Sequence, residues 1–464
     1  MSSILSISYN EKFLIIVGAI LLGTVTSLRP EISALILSVL FIATILLYDR
    51  NIWKYGLLIP LFGLAIWSYG FNNIPLIRPL PLVDALAWFA VIASFPYWWK
   101  LIKIPLIRNL FILLTLLTII VLLRLIVDTP KYGLLAPRDA LFVFELWTIF
   151  PAILLGYNYG YNKAERLIGS LFIISILWFL LYPFREFIIS VSPIVGIQRP
   201  VPLFQFTTAG FLSVPAFFWF LNRKGFLGIF GTSATLIIML MVQSRGVYIA
   251  FILSIILSFL IRPALINRWK HLVISAILIL LFVLTLGNTI TGRLGLGVGF
   301  DTIIEQLATL LGKEGPGAGS FQHRLVAWAS VIQQVLSNPL GPVVGLGLGL
   351  DLFQGFMVGS GALVRKPHND FLEIWARLGI VGLIPWLSIL FLAFRASLKG
   401  VIKDTKNTWV LALQVTLLIT SLSQPAMGFA YITAVWVILT GLWIGAQLKE
   451  QMIVSGGPSH KKDP

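Results

Sequence analysis

Two arginines and a histidine stand where polar groups are expensive. Arg245 falls in MVQSRGVYIA, between two apolar runs scarcely two residues apart, so no loop carries it out to bulk water. It is either an interfacial anchor that snorkels or a fixed cation pointing into an outward-facing cavity. In the second case its rigid fork of donors suits the oxygens of a diphosphate. Arg324 heads a second stretch, FQHRLVAWASVIQQVLSN, with Trp328 one turn later on the same face. Further on, the string RKPHNDFLEIWARLG crowds Arg365, Lys366, His368, Asn369, Asp370 and Glu373 against the start of an apolar run. Pro367 disfavours helix at Lys366, after which His368, Asn369 or Asp370 caps the incoming helix. His368 is thus a cap residue, or else a general base whose unperturbed pKa of about 6.5 suits proton abstraction from a hydroxyl.

Other chemistries fit less well. The four histidines, His271, His323, His368 and His460, share no metal-ligand spacing, and the chain has no cysteine, so neither a metal nor a cofactor is expected. Asp370 and Glu373 are three apart on one element and do not form the flanking carboxylate pair of glycoside hydrolysis. They are expected to orient His368, an arginine or an acceptor, with Arg365 and Asn369 as further substrate-binding candidates. GLGLG at 345–349 lacks the strand–helix frame and the lysine of a phosphate loop, which argues against nucleotide binding. Arg124 and Asp128 are four apart and suited to pair on a helix, while Asp84 and Glu145 are candidate buried carboxylates.

These side chains need a scaffold, and the composition says which kind. Of the 464 residues, 58% are hydrophobic and 11% charged, far from the quarter that is charged in soluble chains. The net charge of +16 comes from cations scattered singly between apolar runs, with no basic block and no nucleic-acid motif, so no nucleic-acid partner is expected. Runs long enough to cross about 30 Å of hydrocarbon recur near 13–28, 31–48, 52–70, 82–99, 109–127, 139–156, 167–184, 203–221, 228–243, 246–261, 270–287, 376–394, 409–424 and 431–447. The pair 228–243 and 246–261 reads equally as one bent helix. The expected fold is therefore an all-α, polytopic bundle of 12–14 spans.

With both termini in the cytoplasm, the inner segments carry twenty Lys and Arg and the short outer segments seven. That asymmetry follows the positive-inside rule. The chain divides into N-terminal membrane helices (1–287), an extracytoplasmic catalytic loop (288–370), C-terminal membrane helices (371–448) and a cytoplasmic tail (449–464). Loops this long usually carry function. Within this one, 322–337 is expected to form an amphipathic helix lying along the membrane surface.

The sequence resembles the O-antigen ligase and polymerase superfamily of bacterial envelope enzymes. The likeness rests on QSRG at 243–246, HRLVAW at 323–328, NPLGPVVGLGLG at 338–349 and PHNDFLEIWARLGIVGL at 367–383. It implies an inner-membrane glycosyltransferase whose donor is an undecaprenyl-diphosphate-linked glycan and whose acceptor is a glycan or glycolipid. In that likeness Arg245 and Arg324 resemble the family's two essential outer arginines, and His368 resembles the histidine before the final membrane region. Direct displacement with inversion would need neither nucleoside diphosphate nor metal. Polymerase and ligase outcomes stay open, and so does a transporter, including the bicarbonate-related role sometimes attached to this broad family. Reporter fusions within 288–370 are expected to be active only outside the cytoplasm; activity inside would remove the basis for an outer site.

Overall fold

A computed structural model of the chain describes residues 52–191, 204–310, 318–353 and 365–455, apart from positions 73, 78, 79, 100, 294 and 429. The spans expected at 13–28 and 31–48 lie outside the described residues. The N-terminal part runs through α1 (Tyr55–Asn72), α2 (Leu82–Trp98), α3 (Pro105–Tyr132), α4 (Leu135–Leu146), α5 (Ile149–Tyr159), α6 (Tyr161–Leu180) and α7 (Arg185–Val191). Then come α8 (Phe206–Leu221), α9 (Gly225–Val242), α10 (Arg245–Ile261) and α11 (Trp269–Thr285). The long connection holds α12 (Phe300–Leu310), α13 (Ala318–Ser337) and α14 (Gly341–Val344), and the chain ends with α15 (Asp370–Lys403), α16 (Thr408–Ser423) and α17 (Ala430–Ser455). The fold is an all-α polytopic bundle, with one minute antiparallel pair of strands, β1 (Pro75–Ile77) and β2 (Leu80–Pro81), among the described residues.

Apolar runs in lipid must satisfy their backbone groups internally, which leaves helices as the solution. Each of the twelve expected cores from 52–70 to 431–447 falls on helix. Among the described residues six helical segments are long and apolar enough to cross a membrane, and a seventh is added if the pair Tyr161–Leu180 and Tyr182–Ile188, bent by 47°, is one span. Four shorter apolar helices accompany them. The pair 228–243 and 246–261 is two helices. Gln243 takes a left-handed φ of 47° and closes α9, Ser244 is extended, and α10 begins at Arg245. Helix α13 starts at Ala318, four residues before the expected 322. Its neighbour α12 was not anticipated.

The centre of the bundle is α17, nearly all of it enclosed, whereas α3 and α11 turn Leu and Ile outward. Close approach at the centre depends on small residues. On α17, Gly441 and Gly445 face α5: a Cβ on Gly441 would lie 2.6 Å from the Ala152 Cβ, and one on Gly445 would strike the Ile153 carbonyl. Gly156 of α5 meets the Leu442 carbonyl in return. This small-xxx-small spacing lets two membrane helices pack backbone to backbone.

Groups expected on one membrane side are found together. Arg223 pairs with Glu165 at 2.5 Å, Lys449 donates to the Asn158 carbonyl at 2.9 Å, and Arg262 donates to the Val401 carbonyl at 2.9 Å. The Arg124–Asp128 pair, the long connection and His368 gather at the other end. Gly445→Val is expected to lower thermal stability in detergent by about 1–3 kcal/mol through overpacking, while an exposed change such as Lys163→Gln leaves it unchanged; an unaltered melting temperature in Gly445→Val would count against this packing.

Candidate functional site

The site begins at the sharp connection between α9 and α10. The Gln243 side chain donates to the carbonyls of Leu296 and Gly297 at 3.2 and 3.3 Å, and the Arg293 amide donates to the Met241 carbonyl at 3.0 Å. A small hairpin, bridged from Thr291 to Gly297, is thereby strapped over the connection. Gly292 permits it, since a Cβ there would lie 2.6 Å from Gln243 Nε2. The strap sets Arg293, exposed, beside the half-buried Arg245 at the first turn of α10. The positive end of that helix adds to the local preference for an anion.

Helix α13 brings the second expected arginine. Arg324 Nη1 donates to the carbonyl of Ser423 at 2.8 Å, at the C-terminal and therefore partly negative end of α16. Ser423 also faces α10, for a Cβ on Gly246 would lie 3.2 Å from its hydroxyl. One turn beyond Arg324, Trp328 Nε1 donates to the Pro367 carbonyl at 2.5 Å. Helix α13 is thus a brace from the end of α16 to the turn that carries His368.

His368 is held in a left-handed conformation, φ 52°, which is uncommon for a residue with a side chain. Of the three expected caps, Asn369 is the one used: its side chain accepts from the Leu372 amide at 3.0 Å. The His368 imidazole is half-buried, and its pKa is pushed down to about 4 by burial first, then by Arg324 and Lys366, against an upward pull from Glu373. It is neutral at physiological pH. Arg324 is itself held below its ordinary value by burial and by the charges of Arg293 and Arg245. Arginine still keeps its proton. The result is a group of cations beside an uncharged imidazole.

The remaining candidates face inward. Glu373 and Asp370 are buried. Glu373 pairs with Arg377 at 3.0 Å and with Lys366 at 3.4 Å, and Asp370 accepts from the Met427 amide at 3.0 Å. Arg377, 2% exposed, reaches Asp139 on α4 at 2.9 Å. Arg365 donates to the Gly349 carbonyl at 2.8 Å and lies 3.6 Å from the same aspartate. The glycine-rich segment closes this network: the Leu348 amide donates to Asp128 at 2.8 Å and the Gly349 amide to Asp139 at 3.0 Å. Asp128 also pairs with Arg124 at 3.2 Å, the spacing expected from the sequence. Its glycines are needed, because Gly345, Gly347 and Gly349 all have positive φ.

Two features were missed from sequence. Arg377 stands four residues after Glu373 on α15, a visible pairing signal, but its partner Asp139 is far away in the chain. Arg293 carries no local signal, since only the folded strap brings it to Arg245. Among the described residues no group of three His, Asp or Glu side chains is arranged to hold a metal ion.

A multi-pass membrane bundle with a cationic site at one end defines the class. Residues 230–387, from α9 to the middle of α15, match the family model described as O-antigen ligase. The match spans about a third of the chain and supports a likeness to the O-antigen ligase and polymerase superfamily. No curated protein matches the chain.

Removing a neighbouring cation should make His368 easier to protonate. In Arg324→Gln the His368 pKa is expected to rise from about 4 toward, without reaching, the ordinary 6.5, because burial remains. Titration of labelled histidine by NMR reads this directly, and an unmoved midpoint would reject the proximity of the two groups.

Proposed function

We propose that the protein transfers a glycan from an undecaprenyl-diphosphate carrier to an acceptor hydroxyl at the extracytoplasmic face of the bacterial inner membrane. What supports this most is one observation: residues 245, 324 and 368, lying on three separate elements, converge at the same end of the bundle. A lipid diphosphate is anionic where its sugar is attached. Arg245 and Arg324, joined by Arg293, hold its oxygens and stabilise the charge that develops as the bond breaks.

The acceptor hydroxyl attacks the anomeric carbon from the face opposite the diphosphate. A new C–O bond forms, the bond to the diphosphate oxygen breaks with its electron pair, and the acceptor proton passes to the neutral His368 imidazole. The configuration inverts. A base with a conjugate-acid pKa near 4 is weak, but a bound dianion offsets the repulsion from Arg324 and raises it. Bound substrate therefore strengthens the base that uses it. Arg365, Asn369, Asp370 and Glu373 act by holding the His368 turn and its helix in place. The step draws on protein side chains alone, with both chain termini in the cytoplasm and 288–370 outside. A polymerase, whose acceptor is another lipid-linked chain, and a ligase, with a terminal acceptor, share this donor chemistry.

Purified protein and a labelled lipid-diphosphate glycan test the reading. Arg245→Ala and Arg324→Ala are each expected to lower turnover about 10²–10³-fold, and His368→Ala about 10²–10⁴-fold. Wild-type turnover should persist in a metal chelator. Full turnover in all three variants would reject the assignment, and His368→Ala alone remaining active would keep the clamp but reject the base. Solute flux that survives His368→Ala, without glycan transfer, would support the transporter instead.

A further inference from the structure

A sizeable cavity lies away from the cation cluster. It lies at the far end of α15, between that helix, the start of α3 and the last turns of α17, and encloses about 470 Å³. That volume is within the usual range for a small-molecule site. Its rim carries Arg395, Lys399 and Lys403, and its walls include Leu106, Leu392 and Leu448. No acidic residue lines it.

Arg395, Lys399 and Lys403 follow at intervals of four, so they stand in one row along the same helix face. All three are exposed, and among the described residues none has an ion-pair partner. Like charges in such a row repel and weaken the helix that bears them. An anion seated in the cleft relieves that repulsion. The adjoining wall is mostly apolar, with Asn109, Gln447 and Gln451 among its residues; a free inorganic anion does not satisfy such a wall, whereas an amphiphile with an anionic head satisfies both surfaces.

Depth points the same way. The kink of α15 is at Gly379, and Lys399 lies twenty residues beyond it, about 30 Å along the helix axis. That is about the thickness of the hydrocarbon layer, which puts the row at the headgroup level of the leaflet opposite His368. We infer that this cleft between α3, α15 and α17 binds an anionic phospholipid, its phosphate against Arg395, Lys399 and Lys403 and its acyl chains along the leucine wall. The inference is independent of the transfer reaction. Basic pockets between membrane helices suit such headgroups.

The test uses the full chain, delipidated in neutral detergent and offered equal amounts of phosphatidylglycerol and phosphatidylethanolamine, with bound lipid read by native mass spectrometry. Wild-type protein is expected to retain phosphatidylglycerol preferentially. The triple variant Arg395→Gln, Lys399→Gln, Lys403→Gln should retain at least about tenfold less, with a control triple, Lys163→Gln, Arg166→Gln, Lys270→Gln, unaffected. Ala396→Trp, which keeps every cation but fills the cleft, should also lose the lipid. Equal loss in both triples, retention in Ala396→Trp, or no preference between the two lipids would overturn the site. Displacement by inorganic phosphate as readily as by phosphatidylglycerol would overturn the lipid as its occupant.

Discussion

Arg245, Arg293 and Arg324 repel one another, and that repulsion is the constraint around which this end of the bundle is built. Like charges stay close only if the elements that carry them are fixed by other interactions. Here the fixing is distributed. The hairpin over the α9–α10 connection is tied down by Gln243, α13 is tied to α16 through Arg324 and to the His368 turn through Trp328, and the turn is tied by the Asn369 cap. Each of these ties is a hydrogen bond to a backbone group.

Below this layer lie buried ions of both signs. Asp139, Glu373, Lys366 and Arg377 pair with one another. Removing charges from water is costly, and such a network offers little net stability over an apolar core, but losing one member leaves the others unpaired and costs several kcal/mol. Its geometric effect is to join α4, α15 and the glycine-rich segment. The left-handed glycines let the backbone amides of Leu348 and Gly349 turn toward Asp128 and Asp139. A segment that superficially looks like a phosphate loop therefore binds carboxylates of its own chain.

The sequence was legible where one physical rule dominated. Apolar runs long enough to span a membrane had to be helices, and the twelve expected cores from 52–70 to 431–447 fall on helix. The Arg124–Asp128 pair and the amphipathic helix at Arg324 were legible because their periodicity is local. The breaks were harder to read: Ser68 and Gly379 interrupt helices with positive φ, and only tertiary contacts explain Gly379, whose missing Cβ leaves room for the Val343 carbonyl. Polar candidates near Pro367 were recognised as a group, but not sorted. Asp370 and Glu373 look alike from sequence to His368, and only the folded positions of Met427, Arg377 and Asp139 turn them inward. Arg293 was invisible because its neighbour is assembled by a strap of glycines, not by spacing.

The low His368 pKa ties binding to chemistry on the proposed reading. The same cations that attract a diphosphate suppress the protonated imidazole while the site is empty. When the anion arrives, it favours the protonated state, and linkage requires the reverse as well: a protonated His368 holds the anion more tightly. The proton leaves the acceptor as negative charge grows on the departing diphosphate, so imidazolium and leaving group stabilise each other at that moment. Stabilisation present only during bond cleavage lowers the barrier, whereas stabilisation present throughout would merely tighten substrate binding. A histidine with an ordinary pKa would be partly protonated before substrate arrived, and that fraction would add to a cation cluster already under repulsion.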